Sequence, residues 1–280
     1  MISHRPSHTA IVVAKSQALA EACGPGFPQP GKEAAEFSKR VLHATGHGLF
    51  ARVLKLPLFR RALNFYESFM IPGLARHHVL RKKAIEKMVL NALKSGVKQV
   101  VQIGAGFDSL CLRLHSQWPE VNFYEFDHPA TQKLKQEILN QERTGKNLVL
   151  KPLDLSDPDS NALSETISLE IPTLFIIEGV LMYLPLSLVT IWFQKIRELV
   201  DSGSRLIFTF MEQARFTKQS FAVHLWLKLV KEPFRWHASP SSVRSLLREN
   251  DWKPSGEHAT WLHSGNEKAA AGEWIDQAES

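Results

Sequence analysis

The sequence feature that most constrains the fold is a short apolar run that ends in two closely spaced glycines. Residues 97–103 form a short run that is rich in valine and ends in isoleucine, followed by Gly104-Ala105-Gly106 and by leucines at helical spacing. This order of strand, tight turn and helix, followed by more apolar and helical segments in alternation, predicts repeated β–α crossovers. We therefore expect an α/β fold, a Rossmann-like domain with a mostly parallel sheet and helices on both faces.

The same patterns assign segments along the rest of the chain. Apolar runs predict five strands, at residues 97–103, 121–126, 148–153, 174–177 and 205–210. Helical spacing predicts helices at 9–22, over much of 33–90, from Leu110, from Pro129, and at 186–200, 221–230 and 241–249. Trp252 and Trp274 mark weaker segments that we assign to the sheet edge. We predict a helical N-terminal lid at 1–90 and a Rossmann-like domain at 91–280.

Composition argues against several classes of protein. The 280 residues are 44% hydrophobic and 22% charged, as in ordinary globular proteins. The net charge is +6, but Lys and Arg are scattered, which favours a solubilising surface over a nucleic-acid interface. Cys23 and Cys111 show neither metal-ligand nor disulfide-framework spacing, so we expect no metal and a reducing, cytoplasmic location. The most apolar window, 173–193, contains Glu178 and Pro185, and we expect no transmembrane segment.

The glycine loop and the next strand predict a nucleoside site. Two glycines after a strand let the backbone approach a ligand at a helix N-terminus. Asp127 ends the next strand, where a carboxylate can accept hydrogen bonds from two ribose hydroxyls, although it could also cap the helix from Pro129. A dinucleotide fingerprint requires a third glycine where this chain has Ser109, and Asp108 would repel a phosphate. These residues favour S-adenosylmethionine over NAD.

Two further carboxylates end later strands. Asp154, before Leu155, is placed to bind an adenine ring, but it could equally form a turn with Ser156. Glu178 ends the fourth strand within an apolar run, and a buried carboxylate there needs a partner. The carboxyl edge of a parallel sheet is also where ligands bind.

Three linked motifs resemble one protein family. They are Ile-Gly-Ala-Gly-Phe-Asp at 103–108 with Arg113-Leu114, Tyr-Glu-Phe-Asp-His-Pro at 124–129, and Glu-Gly-Val-Leu-Met-Tyr at 178–183. In this order and spacing they resemble the leucine carboxyl methyltransferase family and its bacterial polyketide-type O-methyltransferase relatives. The resemblance runs from about Thr9 to the C-terminus and implies S-adenosylmethionine-dependent methyl transfer.

The resemblance also implies a set of cofactor-binding residues. In the family, a Lys on an N-terminal helix and an Arg before the glycine loop bind the methionine carboxylate. The glycine loop and the strand-end residues bind the nucleoside, and Glu178 matches the acid near the methionine amino group. The residues so matched are Lys39, Arg81, Gly104, Ala105, Gly106, Asp127, His128, Asp154, Leu155 and Glu178. Arg40 and Lys82 adjoin two of them and could take the same roles. Relatives commonly have Thr-Arg where this chain has Ser109-Leu110, which weakens inference about the methyl acceptor.

The acceptor is less well specified than the cofactor. A carboxylate acceptor needs no general base, whereas a hydroxyl needs one, and no base is assigned among the candidates His47, His77, His78, His115, His128 and His224. Tyr183 is the best single acceptor-side contact, with a core aromatic as the alternative. The sequence indicates no oligomeric state.

The acceptor lid is predicted from the front helices and from an insertion at 211–240. That insertion carries Phe216, Phe221, Trp226, Phe234 and Trp236, which suit an apolar, polyketide-like small molecule or simply a helix core. Basic amphipathic stretches at 49–59 and 221–230 also admit a membrane-surface or partner-helix role. Beside a small-molecule O-methyltransferase, the sequence leaves open a protein C-terminal carboxyl methyltransferase, a nicotinamide oxidoreductase and a non-catalytic binding protein.

Overall fold

The computed structural model describes residues 6–70, 73–139, 145–200, 202–212, 221–255, 260–261 and 273–280, with the side chains of all of these except 66–70, 221–224 and 260–261. Phe216 therefore lies outside the described residues, as do the side chains of Phe221 and His224.

One mixed sheet forms the centre of the molecule. Its strands are β1 Gln99–Ile103, β2 Asn122–Asp127, β3 Leu148–Pro152, β4 Thr173–Ile177, β5 Arg205–Met211, β6 Lys253–Pro254, β7 Thr260–Trp261 and β8 Glu273–Glu279. The order is β3-β2-β1-β4-β5-β8-β6, and β7 also pairs with β8. Strands β1 to β5 are parallel, whereas β8 is antiparallel to β5. The α/β prediction is confirmed, and the segments near Trp252 and Trp274 do complete the sheet.

The helices follow the predicted pattern, with breaks at the glycines and prolines. They are α1 His8–Cys23, α2 Lys32–Ala44, α3 Gly48–Val53, α4 Pro57–Met70, α5 Leu74–Lys94, α6 Leu110–Leu114, α7 Pro129–Leu139, a 3-10 helix Leu181–Tyr183, α8 Leu186–Glu198, α9 Phe221–Leu229 and α10 Pro240–Glu249. The predicted division at residue 90 falls inside α5.

Helix α5 belongs to both predicted parts. Near its C-terminus, Ile85, Val89 and Leu93 are buried against the sheet, with Val100 and Leu174 in the same apolar cluster. On the opposite face of the sheet, α8 and α10 contribute to a second cluster, and α1, α2 and α7 form most of a third. Because α5 is anchored on the sheet, its N-terminal turns are held rigidly at the sheet edge, where the candidate site lies.

The most apolar window of the sequence forms β4, the 3-10 helix and the start of α8. No helix within the described ranges is long and apolar enough to cross a membrane.

Candidate cofactor-binding site

A cavity of about 540 Å³ lies at the carboxyl ends of the parallel strands. Its floor is the ends of β1, β2, β3 and β4, and its cover comes from α1, α4, the N-terminal turns of α5 and the segment 226–235. Parallel sheets characteristically bind ligands at this edge, because the loops that follow the strands converge there.

The glycine loop forms the centre of the cavity floor. Gly104 has a φ of +69°, and a Cβ built on it would lie 2.2 Å from Cγ2 of Val180. Its backbone N–H and that of Ala105 donate to the carbonyl of Phe126, and the N–H of Gly106 donates to Oδ2 of Asp127 at 2.7 Å. The loop is thus fixed to β2, and only glycine fits at position 104 without displacing Val180.

Asp127 and His128 follow β2 at the edge of this loop, and both line the cavity. Burial raises the pKa of Asp127, while hydrogen bonds from the Gly106 backbone and from Thr131 of α7 oppose the rise. The Thr131 contact ties Asp127 to the first turn of α7, so the carboxylate serves the helix start as well as facing the cavity. The ring Nδ1 of His128 lies 3.4 Å from the N–H of Ala130.

A buried charge network lines one part of the cavity. Arg81 donates from Nε to Glu178 at 2.8 Å and from Nη1 to Glu273 at 2.7 Å. Burial alone would lower the pKa of Arg81, but the two carboxylates raise it. The partner that Glu178 needs is therefore present, and a second carboxylate, which sequence reasoning missed, comes from β8.

Glu273 and Glu178 each keep one oxygen without a hydrogen-bond partner among the described residues, Oε1 and Oε2 respectively. Burial would raise the pKa of Glu273, but Arg81 and His77, whose Nε2 lies 2.7 Å from Oε2, hold it well below the usual range. Both carboxylates line the cavity. An unpartnered, buried carboxylate oxygen there is suited to a ligand's cationic group.

Asp108 is held in a buried ion pair within the protein. Nζ of Lys82 lies 3.0 Å from Oδ2 of Asp108 and also 3.0 Å from Oε1 of Glu178, and Gln102 donates to Asp108 at 2.9 Å. Burial would raise the pKa of Asp108, but Lys82 and Gln102 hold it well below the usual range. The charge of Asp108 is therefore compensated in part, by a lysine that it shares with Glu178. The Ser109 argument against a dinucleotide is unaffected.

Lys39 does not reach the cavity, contrary to its assignment. It pairs with Glu21 at 2.5 Å on the surface between α1 and α2, and Arg40 donates to the carbonyl of Ile138. The N-terminal-helix lysine that lines the cavity is instead Lys15 of α1. Burial lowers the pKa of Lys15, and its Nζ lies 5.5 Å from the centroid of the Phe50 ring.

The two residues that the resemblance matches to the adenine divide in a similar way. Asp154 accepts hydrogen bonds from the backbone and hydroxyl of Ser156, at 2.9 and 2.6 Å, and it is not among the residues that line the cavity. The turn with Ser156 therefore occupies one oxygen of Asp154, while Nε2 of His128 lies 3.8 Å from the other. Leu155 and Ser156 do line the cavity, as does Leu153.

Tyr183 lines the cavity from the 3-10 helix, with its ring centroid 5.3 Å from that of Phe234. Burial raises its pKa, although a hydrogen bond with Thr9 opposes the rise. Trp226 also lines the cavity, whereas Trp236 is buried in the core against Phe210. The aromatic insertion thus supplies both cavity wall and core.

Three of the candidate histidines, His77, His78 and His128, line the cavity. Nδ1 of His78 lies 2.9 Å from Oγ of Ser16, and that hydroxyl lies in donor geometry 3.1 Å from the carbonyl of Val12. When the Ser16 hydroxyl donates its one proton to Val12, Nδ1 of His78 is the donor to Ser16 and Nε2 keeps a lone pair. Burial lowers the pKa of His78 well below its usual range. His115 instead bonds the Leu112 carbonyl and the Gly145 N–H, and His47 is not among the lining residues.

A mostly parallel sheet with a glycine loop, a strand-end acid and a buried Arg–Glu pair around one cavity at the strand ends is an α/β fold of the Rossmann-like class. Solved structures agree: a provisionally named methyltransferase from Thermobifida fusca superposes with a TM-score of 0.63 at 15% identity, over 100% of this chain and 96% of the other. This similarity shows the fold.

The chain belongs to the leucine carboxyl methyltransferase family, because the family model matches residues 17–196. A protein of Streptomyces coelicolor, provisionally named an S-adenosyl-L-methionine-dependent methyltransferase, is 37% identical over 132 residues, which are 46% of each chain. A similarly named protein of Mycobacterium marinum is 26% identical over 92% of this chain and 86% of its own length. The match to the first of these relatives thus spans about half of its length. These matches confirm the predicted family and, for that family, the predicted cofactor class.

Proposed function

We propose that this protein is an S-adenosylmethionine-dependent O-methyltransferase that acts on a carboxylate or hydroxyl of a small, apolar acceptor. The observation that carries the proposal is that one cavity is lined by the Gly104–Gly106 loop, by Asp127 and by the Arg81–Glu178 pair. These groups match a nucleoside joined to an amino acid tail, and the relatives' names point to the same cofactor.

The residues of the cavity fit that cofactor. Asp127 would accept hydrogen bonds from the ribose, and the apolar Leu153 and Leu155 would contact the adenine. The free oxygen of Glu178 would receive the methionine ammonium, while Arg81 and Lys15 would attract the carboxylate. Lys15 takes the part that the family resemblance gave to Lys39. When bound, the cofactor supplies a methyl group already activated on a sulfonium.

The acceptor half of the cavity favours an apolar molecule. Val12 and Leu19 of α1, Leu63 of α4, and Trp226 and Phe234 of the insertion line it together with Tyr183. Such a wall excludes water from the reacting groups, which helps a displacement that needs positioning above all. A polyketide-like or otherwise amphipathic acceptor suits this wall.

His78 provides for a hydroxyl acceptor. It lines the cavity one helical turn from Arg81, and the geometry at Ser16 leaves the lone pair of Nε2 free to take a proton from a hydroxyl. A carboxylate acceptor would need no such group. We therefore propose His78 as the base in the hydroxyl case and Tyr183 as an acceptor contact in either case.

Calorimetric titration of the full chain with S-adenosylhomocysteine, and separately with NAD, tests the proposal. We expect binding of the first ligand only. Asp127→Asn should weaken that binding about tenfold, or about 1.4 kcal/mol, since the amide can still accept from Gly106 but carries no charge for the ribose hydroxyls. Asp159→Asn, at an exposed position, is the matched control and should leave the affinity unchanged.

Two results would overturn the proposal. Binding of NAD in place of S-adenosylhomocysteine would favour an oxidoreductase. Absence of binding by a folded protein would favour a non-catalytic role for the fold.

A further inference from the structure

The outer surface of α3 and of the first half of α4 is unusually apolar. Leu49, Leu58 and Phe65 are 72%, 79% and 72% exposed, and Leu56 between the helices is 57% exposed. Large apolar side chains that cluster in exposed positions mark an interaction site, in contrast to single exposed leucines, which are ordinary. We call this surface, residues 48–65, the α3–α4 face.

The α3–α4 face is also strongly basic. Arg52, Lys55, Arg60 and Arg61 lie within it, and the sequence from Gly48 to Phe65 contains no Asp or Glu. Arg60 donates to the carbonyls of Leu54 and Lys55, so it is held over the turn between the helices. Four cations among exposed leucines and a phenylalanine are typical of segments that lie in the interface of an anionic membrane.

The inner side of the same segment lines the cavity. Phe50 of α3 and Leu63 of α4 are lining residues, and Lys15 contacts the Phe50 ring. The exposed apolar groups and the cavity wall are therefore two sides of one thin layer of helix. A surface that docked here would lie directly over the cover of the cavity.

The charges distinguish among possible occupants. A second copy of this chain, meeting the face by two-fold symmetry, would bring four cations against four like charges with no carboxylate between them. A nucleic acid would satisfy the cations but would leave the exposed leucines in water. A bilayer with anionic headgroups satisfies both sets of groups, because cations attract the headgroups while the apolar side chains enter the acyl boundary.

We propose that the α3–α4 face docks on an anionic phospholipid surface. The docking does not depend on the proposed function. The further step, in which an amphipathic acceptor enters the cavity from the bilayer, does rest on the proposed function.

Co-sedimentation of the full chain with vesicles tests the docking. The probes are vesicles of phosphatidylcholine alone and of phosphatidylcholine with about one third phosphatidylglycerol. We expect binding to the second kind only, and a steep loss of binding as salt is raised, because the attraction of exposed cations is screened. Leu49→Ser with Leu58→Ser and Phe65→Ser should weaken binding about tenfold or more, and Arg52→Glu with Arg61→Glu should do the same.

The matched control is Leu169→Ser with Leu186→Ser, which removes leucines that are 42% and 53% exposed outside the α3–α4 face. It should bind vesicles as the native chain does. Circular dichroism and titration with S-adenosylhomocysteine on every variant separate unfolding from loss of docking. If the native chain binds vesicles but not S-adenosylhomocysteine, the proposed function fails and the docking stands.

Either absence of binding to anionic vesicles or an equal loss of binding in the control would overturn the docking. So would a dimer, detected by sedimentation velocity, that the triple serine variant abolishes in a protein that does not bind vesicles. The last outcome would assign the face to a second copy.

Discussion

The two walls of the cavity are built on different principles. The strand-edge wall consists of charged and hydrogen-bonded groups: Gly104 packs against Val180, and Arg81 extends from α5 to bridge two carboxylates at the strand ends. The cover wall, from α1, α4 and the segment 226–235, is mainly apolar and carries exposed leucines on its outer side. The difference indicates that a single ligand geometry is fixed at the strand edge, whereas the cover can change its apolar shape with the acceptor.

The largest effect should come from filling the strand-edge wall at its tightest point. Gly104→Ala places a methyl group 2.2 Å from a β-branched neighbour that turns little, at a φ of +69°. We expect a loss of about 3 kcal/mol in the free energy of unfolding and no measurable binding of S-adenosylhomocysteine. Urea denaturation and calorimetry measure the two effects.

Gly96→Ala is the control for Gly104→Ala. Its φ is +98°, but no atom lies within 4 Å of the added methyl group. It should lose only about 1 kcal/mol and bind normally. Equal losses in the two variants would show that backbone strain, and not the contact with Val180, explains the first.

A smaller effect is expected where one carboxylate loses its charge. Glu273→Gln leaves Arg81 with a single anionic partner, so we expect a loss of about 2 kcal/mol in stability and about tenfold in affinity for S-adenosylhomocysteine.

The corresponding change in the cover wall is Glu232→Gln. Glu232 accepts from the N–H groups of His8 and Thr9, at 3.0 and 2.9 Å, at the start of α1.

Glu232→Gln should lower stability by about 1 kcal/mol and change the affinity less than about threefold. If it weakened binding as much as Glu273→Gln does, the cover wall would be as important for the cofactor as the strand-edge wall, and the comparison would fail.

The smallest effect concerns pH, at the boundary between the walls. Burial lowers the pKa of His78, as do Arg81, His77 and Lys82, while Glu273 opposes them. Below about pH 6.5 the unfolded chain therefore binds a proton that the folded chain does not, and stability falls as pH falls. His78→Gln should flatten this slope by about 1.4 kcal/mol per pH unit, measured by urea denaturation between pH 7 and 5.

His43→Gln, at an exposed position, serves as the control for His78→Gln and should leave the slope as it is. An unchanged slope in His78→Gln would mean that His78 takes up its proton over the same pH range in the folded and the unfolded chain, so that burial does not keep it neutral.

The strand-edge wall was largely predictable from the sequence because its signals are local. The strand, the two glycines and Asp127 are consecutive or one crossover apart, and the positions of β1 to β5 followed from apolar runs. Lys15 was missed although a local signal exists: Ile11 and Leu19, four residues to either side, are buried, so Lys15 must face the same interior.

Glu273 could not have been found in this way. It is 192 residues from Arg81, and it reaches Arg81 only because β8 pairs antiparallel with β5 in one register, in which Glu273 lies opposite Met211. No short-range pattern encodes that register. Asp154 shows a different limit of sequence analysis. The same local pattern is compatible with a turn to Ser156 and with a ligand contact, so the sequence could not distinguish between them.

The position of Glu273 has a consequence for biosynthesis. During synthesis the glycine loop, Asp127 and Glu178 leave the ribosome long before the strand that holds the second anchor of Arg81. In a nascent chain that has folded through β5, the Arg81 guanidinium has Glu178 as a partner but not Glu273, and the edge of β5 that pairs with β8 is still unpaired. High-affinity recognition of small molecules should therefore appear abruptly, when β8 pairs with β5, and ligand present during translation would stabilise chains in which this pairing has formed.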